Sequence, residues 1–262
     1  MRMAYLWSNV LSFIARVLRQ FTGKHCLMAA GSLSFATLLA LVPFAAMGLA
    51  VFAFFPAFAQ TGHIVSQFIL TSFAPHIGEG VVVYFGQFLA NAQQLAAPGI
   101  IILIITAMML LLEIEATFNN IWEVSTKRPW MSRLMAFWML PTLGPLLLGI
   151  GLSVIQYLVG DEISASALPV MLEIAGFTLL YYALPQPAVN LWHAATGGFI
   201  AGLMFEAAKA GFGFYIQNFS SYEAIYGALS ALPVFLIWLY VSWAVALFGA
   251  VITAELPKWK SG

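Results

Sequence analysis

Long apolar runs broken by isolated charges organise this chain. No Lys, Arg, Asp or Glu occurs between Lys24 and Glu79, Glu79 and Glu113, Arg133 and Asp161, Glu173 and Glu206, or Glu223 and Glu255. A helix needs roughly 20 mostly apolar residues to cross about 30 Å of hydrocarbon. These runs predict six spans, approximately Met28–Phe55, Ala96–Phe118, Leu134–Val159, Ala167–Leu184, Leu191–Ile216 and Gly227–Ala254. Gly or Pro interrupts them, at Pro43, Pro141, Pro145, Gly202 and Pro233 among others. Helices within a bundle tolerate such residues when neighbours satisfy the freed carbonyls. The expected fold is therefore an all-α polytopic membrane protein forming one integral membrane domain over residues 1–262.

Two further segments are apolar without being expected to span. In residues 1–24, Leu6, Trp7, Val10, Leu11, Ile14, Val17, Leu18 and Phe21 recur at helical spacing, with Arg16 and Arg19 among the polar positions. That pattern predicts an interfacial helix lying on the inner leaflet. Residues 60–95 carry no Lys or Arg, and Ile64, Phe68, Val81, Val82, Phe85, Phe88 and Leu89 predict short extracytoplasmic amphipathic helices.

Composition sharpens the membrane reading. Of 262 residues, 62% are hydrophobic and only 8% charged. A soluble chain carries about a quarter charged residues, so this one cannot clothe a water-facing surface. Ten Lys and Arg against ten Asp and Glu leave no basic stripe for a nucleic-acid partner. The single cysteine, Cys26, excludes an intrachain disulfide scaffold. Cations concentrate at Arg2, Arg16, Arg19 and Lys24, at Lys127, Arg128 and Arg133, and at Lys258 and Lys260. With Lys- and Arg-rich loops kept inside, both termini are expected in the cytoplasm.

The remaining cation, Lys209, falls within the fifth predicted span, three residues from Glu206 and on the same helical face. At about 1.5 Å per residue Glu206 lies some 22 Å along that span from Leu191. A charge at depth costs roughly 2.5–3.5 kcal/mol on insertion scales and faces protein or a water-filled cavity. Two readings stand: a structural ion pair, or a polar contact for a headgroup, ion or proton. Glu173 interrupts the fourth span, where a lumen-facing carboxyl would pair with Lys209 at a similar depth or be protonated. Glu115 shares a face with Asn119 and Trp122 near the cytoplasmic end of the second span, whereas Glu113 points about 200° away. It pairs either with nearby cations or with an entering headgroup. Tyr222 and Tyr226 would line the outer mouth of the Glu206–Lys209 face. Gly198 and Gly202 form a small-xxx-small pair, and they join Pro43, Pro233 and Gly249 as expected kink or packing positions. Trp130, Trp138, Tyr181, Tyr182, Trp192, Trp238, Tyr240, Trp243 and Trp259 are expected chiefly as interfacial anchors.

Four stretches together resemble the YihY/BrkB family of bacterial inner-membrane proteins, formerly labelled ribonuclease BN-like. They are Gly31-Ser-Leu-Ser34 through Val42-Pro43, Glu115-Ala-Thr-Phe-Asn119-Asn-Ile-Trp122, Phe205-Glu206-Ala-Ala-Lys209-Ala-Gly-Phe, and Tyr222 through Tyr226-Gly227 with Pro233, Trp238, Tyr240, Trp243, Gly249-Ala250 and Thr253. The resemblance implies a six-span protein of the bacterial inner membrane. It brings no agreed catalytic set, and it links one branch to export of lipid A precursors.

Enzyme chemistry finds little footing in the residues. The four histidines, His25, His63, His76 and His193, lack metal-ligand spacing, and the acids are dispersed. There is no phosphate-binding Gly-Lys-Ser/Thr loop and no Gly-x-Ser-x-Gly elbow, so ribonuclease activity is not expected. No cofactor and no metal are expected. The expected function is transport or flipping of a lipid-like amphiphile, with a non-transporting scaffold or envelope-integrity factor as the alternative. The expected partners are membrane lipids and a lipid or lipid A precursor cargo; nothing in the sequence supports a particular oligomer.

Overall fold

A computed structural model describes residues 2–54, 97–124, 161–218 and 231–259, with side chains over 9–41, 105–124, 169–216 and 232–259. Its described elements are six helices, α1 (Arg2–Gly23), α2 (Cys26–Phe54), α3 (Ala97–Ile121), α4 (Asp161–Ala183), α5 (Leu191–Asn218) and α6 (Ala231–Trp259). No strand occurs among the described residues. The predicted third span, Trp130, Pro141, Pro145, Tyr222, Tyr226 and the amphipathic segment 60–95 lie outside them.

Leu191–Ile216 and Leu232–Trp259 are each long and apolar enough to cross a membrane, with mean hydropathies of 1.3 and 2.2. Asn9–Gly23 and Cys26–Leu41 are joined at a bend of 54°. The bend is built at Lys24 and His25, where α1 closes through Lys24 N–H donating to Gln20 O and His25 takes a left-handed φ of 53°. Glycine usually occupies such a position, because a Cβ there crowds the backbone. Two ties hold the corner: the Asn120 side-chain amide donates to Lys24 O at 3.2 Å, and Lys24 Nζ donates to Glu123 Oε1 at 2.9 Å.

Helix α1 is two-sided, as its periodicity predicts. Val17 is buried, Phe13 packs on Trp259 and Phe21 packs on Phe248. Val10, Leu11, Ile14 and Leu18 remain exposed, the arrangement expected of a helix that rests on a bundle and turns an apolar face outward.

Small residues bring α4, α5 and α6 together. A Cβ on Gly198 would lie 2.7 Å from the backbone nitrogen of Thr178, and one on Gly202 would lie 2.5 Å from Ile174 Cγ1. Gly197 faces α6, where an added Cβ would meet Gly249 O at 2.9 Å; at Gly249 it would meet Ala201 Cβ at 2.7 Å. The small-residue stripe therefore packs within this chain, first on α4 and then on α6. Hydroxyls in these helices satisfy themselves locally, Thr178 on Ile174 O, Ser242 on Trp238 O and Thr253 on Gly249 O. Such bonding to the preceding turn hides a donor where no water is available.

Several expectations need correction. Trp238 and Tyr181 are wholly buried core residues rather than interfacial anchors. Trp238 packs on Phe205 and Phe212, while the Tyr181 hydroxyl donates to Ala246 O at 2.7 Å. Tyr181 fills the space that Gly249 leaves open on α6, and Trp238 is enclosed by aromatic rings, which outweighs the preference of their polar tips for a wet interface. Trp192, at 80% exposure, and Tyr182 do stand outside the core. Helix α2 runs from Cys26 to Phe54 with Pro43 inside it, as a span tolerant of proline should. Pro233 is the third residue of α6, a position whose N–H needs no helical acceptor, so it produces no break there. Pro169 and Pro257 also lie inside helices, in α4 and α6.

Candidate functional site

Polar chemistry falls into two places. The first lies between α4 and α5. Lys209 Nζ donates to Glu173 Oε1 at 2.7 Å and to Glu206 Oε1 at 2.8 Å, so both carboxylates share one ammonium. Two features of the sequence produce this geometry. Glu206 and Lys209 are three residues apart on one helix, and the Gly198 and Gly202 contacts bring α4 near enough for Glu173 to reach across. Lys209 also stands 5.7 Å from the Phe205 ring centroid, and that ring continues through Trp238 to Phe212. The ammonium thus has an aromatic face beside its two carboxylates.

Exposure grades across the triad. The Glu173 side chain is 4% exposed, Lys209 15% and Glu206 34%. Glu173 Oε2 is buried with no hydrogen-bond partner, and so is Trp238 Nε1. Glu206 forms the accessible side of the site and Glu173 its closed end. The pairing of Glu173 with Lys209 agrees with the equal depth read from the sequence.

The second place collects at the helix ends near the α1–α2 corner. Ser32 donates to Glu113 Oε1 at 2.8 Å, and the Gln186 amide approaches Glu115 Oε1 at 3.5 Å. Lys24 holds Glu123, and Lys258 donates to Glu255 at 2.8 Å along α6. The hydrogen bond and the positive charge of Lys24 keep the Glu123 carboxyl below the usual carboxylate range. Glu113 and Glu115 both engage neighbours, because α3 has α2 on one side and the 184–190 loop on the other. Ser32 and Gln186 were not legible as partners, since each contact joins positions more than 70 residues apart. Asn119 lies here as well, its carbonyl accepting from Val124 N–H as α3 ends. Glu115 and Asn119 therefore belong to a different place from Glu206, Lys209 and Glu173.

No group of three or more His, Cys, Asp or Glu suited to a metal ion occurs among the described residues. The arrangement can hold charge within the bundle and present one carboxylate outward.

Fold and site together define a polytopic helical membrane protein with an ionic cluster among its helices. Residues 17–261 match the family model described as Virulence factor BrkB, and the chain belongs to that family. It is similar to a UPF0761 membrane protein of Nitrosospira multiformis, 41% identical over 95% of this chain and 62% of that protein. A UPF0761 membrane protein of Rhodospirillum centenum is 40% identical over 97% of this chain and 59% of its own length. Another, from Pseudoalteromonas atlantica, is 35% identical over 95% of this chain and 89% of its length. The chain thus spans about three-fifths of the first two relatives. No solved structure matches.

Proposed function

We propose that this protein moves a lipid-like amphiphile between the leaflets of a bacterial inner membrane, by a non-enzymatic route through the Glu173–Lys209–Glu206 region. In this reading the chain crosses six times with both termini in the cytoplasm, and the polar cluster near Lys24 and Glu123 marks the cytoplasmic end. The observation that carries the reading is the graded triad. Charges placed between apolar helices are costly and characteristically face a pathway. Here Glu206 is one-third exposed while Lys209 and Glu173 recede behind it. A phospholipid or a lipid A precursor is the proposed cargo, its headgroup meeting Glu206 first.

The test is translocation in proteoliposomes, using a fluorescent phospholipid and a lipid A precursor. Wild type is compared with Glu206→Gln and Lys209→Met. Movement lost in both folded variants supports the reading. Wild-type rates equal to those of empty liposomes for both lipids overturn it.

A scaffold reading has one observation in its favour: Lys209 ties α4 to α5 across a glycine-lined contact. Under that reading both variants weaken the fold and no lipid moves in wild type.

A further inference from the structure

Charge counting exposes an imbalance in the triad. Lys209 supplies one positive charge, and Glu173 and Glu206 supply two negative ones if both are ionised. Among the described residues, no cation other than Lys209 pairs with either carboxylate. Packed against α4, helix α5 presents Glu206 and Lys209, and α6 presents the uncharged Ala246 and Gly249 at Tyr181. The other charged residues of α4, α5 and α6 are Asp161 and Glu162, at the start of α4, and Glu255 and Lys258, in the closing turns of α6. The predicted third span contributes no Lys, Arg, Asp or Glu between Arg133 and Asp161. A buried carboxylate without a compensating charge takes up a proton instead of remaining ionised, because an unpaired charge in an apolar surrounding costs far more than a neutral polar group.

The geometry points to one proton bound within the triad, on Glu173, so that the site at rest is a Lys209–Glu206 ion pair beside a neutral carboxylic acid. The atoms locate it. Glu173 Oε1 accepts from Lys209, and Oε2 is the oxygen without any donor. An O–H there removes the uncompensated charge and leaves the Lys209 contact to Oε1 intact. The size of the site selects the cation. Glu173 Oε2 is fully enclosed, so an ammonium headgroup or a hydrated metal ion cannot reach it, and two carboxylates offer too few oxygens for a calcium-like shell. A proton can arrive through Glu206, the exposed member.

The protonation step is simple addition: the Glu173 carboxylate plus one proton gives the carboxylic acid, and the triad goes from one net negative charge to none. This holds whether or not an amphiphile is moved. Its mechanistic extension rests on the transport reading: any step that opens Glu173 to water releases the proton, coupling movement to a proton gradient.

Infrared spectroscopy of the purified protein in lipid nanodiscs at neutral pH reads the acid directly, as a deuterium-sensitive carboxylic C=O band. Wild type is expected to show a band that disappears in Glu173→Gln. It should also disappear in Glu206→Gln, where Lys209 alone balances Glu173. In Lys209→Met the band should grow about twofold, since neither carboxylate then has a counter-ion. Thermal melting of each variant separates loss of the band from loss of the fold. A wild type without a band sensitive to Glu173→Gln overturns the proposal, as does a band that survives Glu206→Gln unchanged. Failure of lipid movement with the band present rejects the transport reading alone.

Discussion

Substituting alanine at Gly198 tests the backbone approach on which the triad depends. The added Cβ would stand 2.7 Å from Thr178 N and 2.9 Å from Thr178 Cα, both main-chain atoms that no rotamer change can withdraw. Ordinary contact begins near 3.4 Å, so α4 and α5 must separate by at least about 0.7 Å. Forcing a methyl into a packed interface of this kind costs about 1–3 kcal/mol. Alanine also stabilises an isolated helix by up to about 1 kcal/mol relative to glycine, which would mask part of that cost. Gly211 supplies the control: it sits on the same helix, with nothing within 4 Å of its built Cβ. Reversible unfolding in mixed micelles, followed by circular dichroism, should place Gly198→Ala below Gly211→Ala by about 1–3 kcal/mol. The propensity gain cancels in that difference. Equal stabilities, within about 0.5 kcal/mol, would mean that α4 and α5 do not meet backbone to backbone at Gly198, and the route by which Glu173 reaches Lys209 would need rebuilding.

Two further outcomes follow from the hydrogen bonds. Tyr181→Phe removes the buried bond to Ala246 O between α4 and α6 and keeps the ring; it should lower stability by about 0.5–1.5 kcal/mol, read by the same unfolding assay. Glu123→Gln should change stability at pH 7 by less than about 1 kcal/mol, because that pair is wet, and added salt should shrink the effect. Since Lys24 holds the Glu123 carboxyl below its ordinary value of 4.5, the pair's contribution is present above that value and is lost as pH falls through the lower, folded one. A wild-type minus Glu123→Gln difference that grows with acidification instead would contradict this pairing.

Apolar runs made the helices legible because charge is so costly in hydrocarbon that its absence marks length. Four of the five described helices that match predicted spans start within four residues of their expected positions, whereas α4 starts at Asp161 rather than Ala167. Helix formation needs only backbone bonding, so it continues past the apolar stretch, and α6 likewise runs to Trp259 through the Glu255–Lys258 pair. The same-face placement of Glu206 and Lys209 was legible from a spacing of three. Their link to Glu173 followed from depth alone, because α4 and α5 are antiparallel neighbours joined by a short loop. What could not be read was lateral packing. Trp238 and Tyr181 look like belt residues in one dimension, and only the neighbours across the bundle, Gly249 for Tyr181 and the Phe205 and Phe212 rings for Trp238, reveal that they are buried.

The seat of α1 carries a consequence for biogenesis. Its aromatic partners, Trp259 for Phe13 and Phe248 for Phe21, belong to α6 and are made more than 220 residues later. Until α6 is made, α1 has only α2 and the α3 end beside its corner to rest on, and contacts between positions so far apart in sequence form late. The exposed row Val10, Leu11, Ile14 and Leu18 offers a holding position meanwhile, anchored in lipid while the opposite face waits. Maturation of this protein would then end where translation began, with the earliest helix sealing against α6.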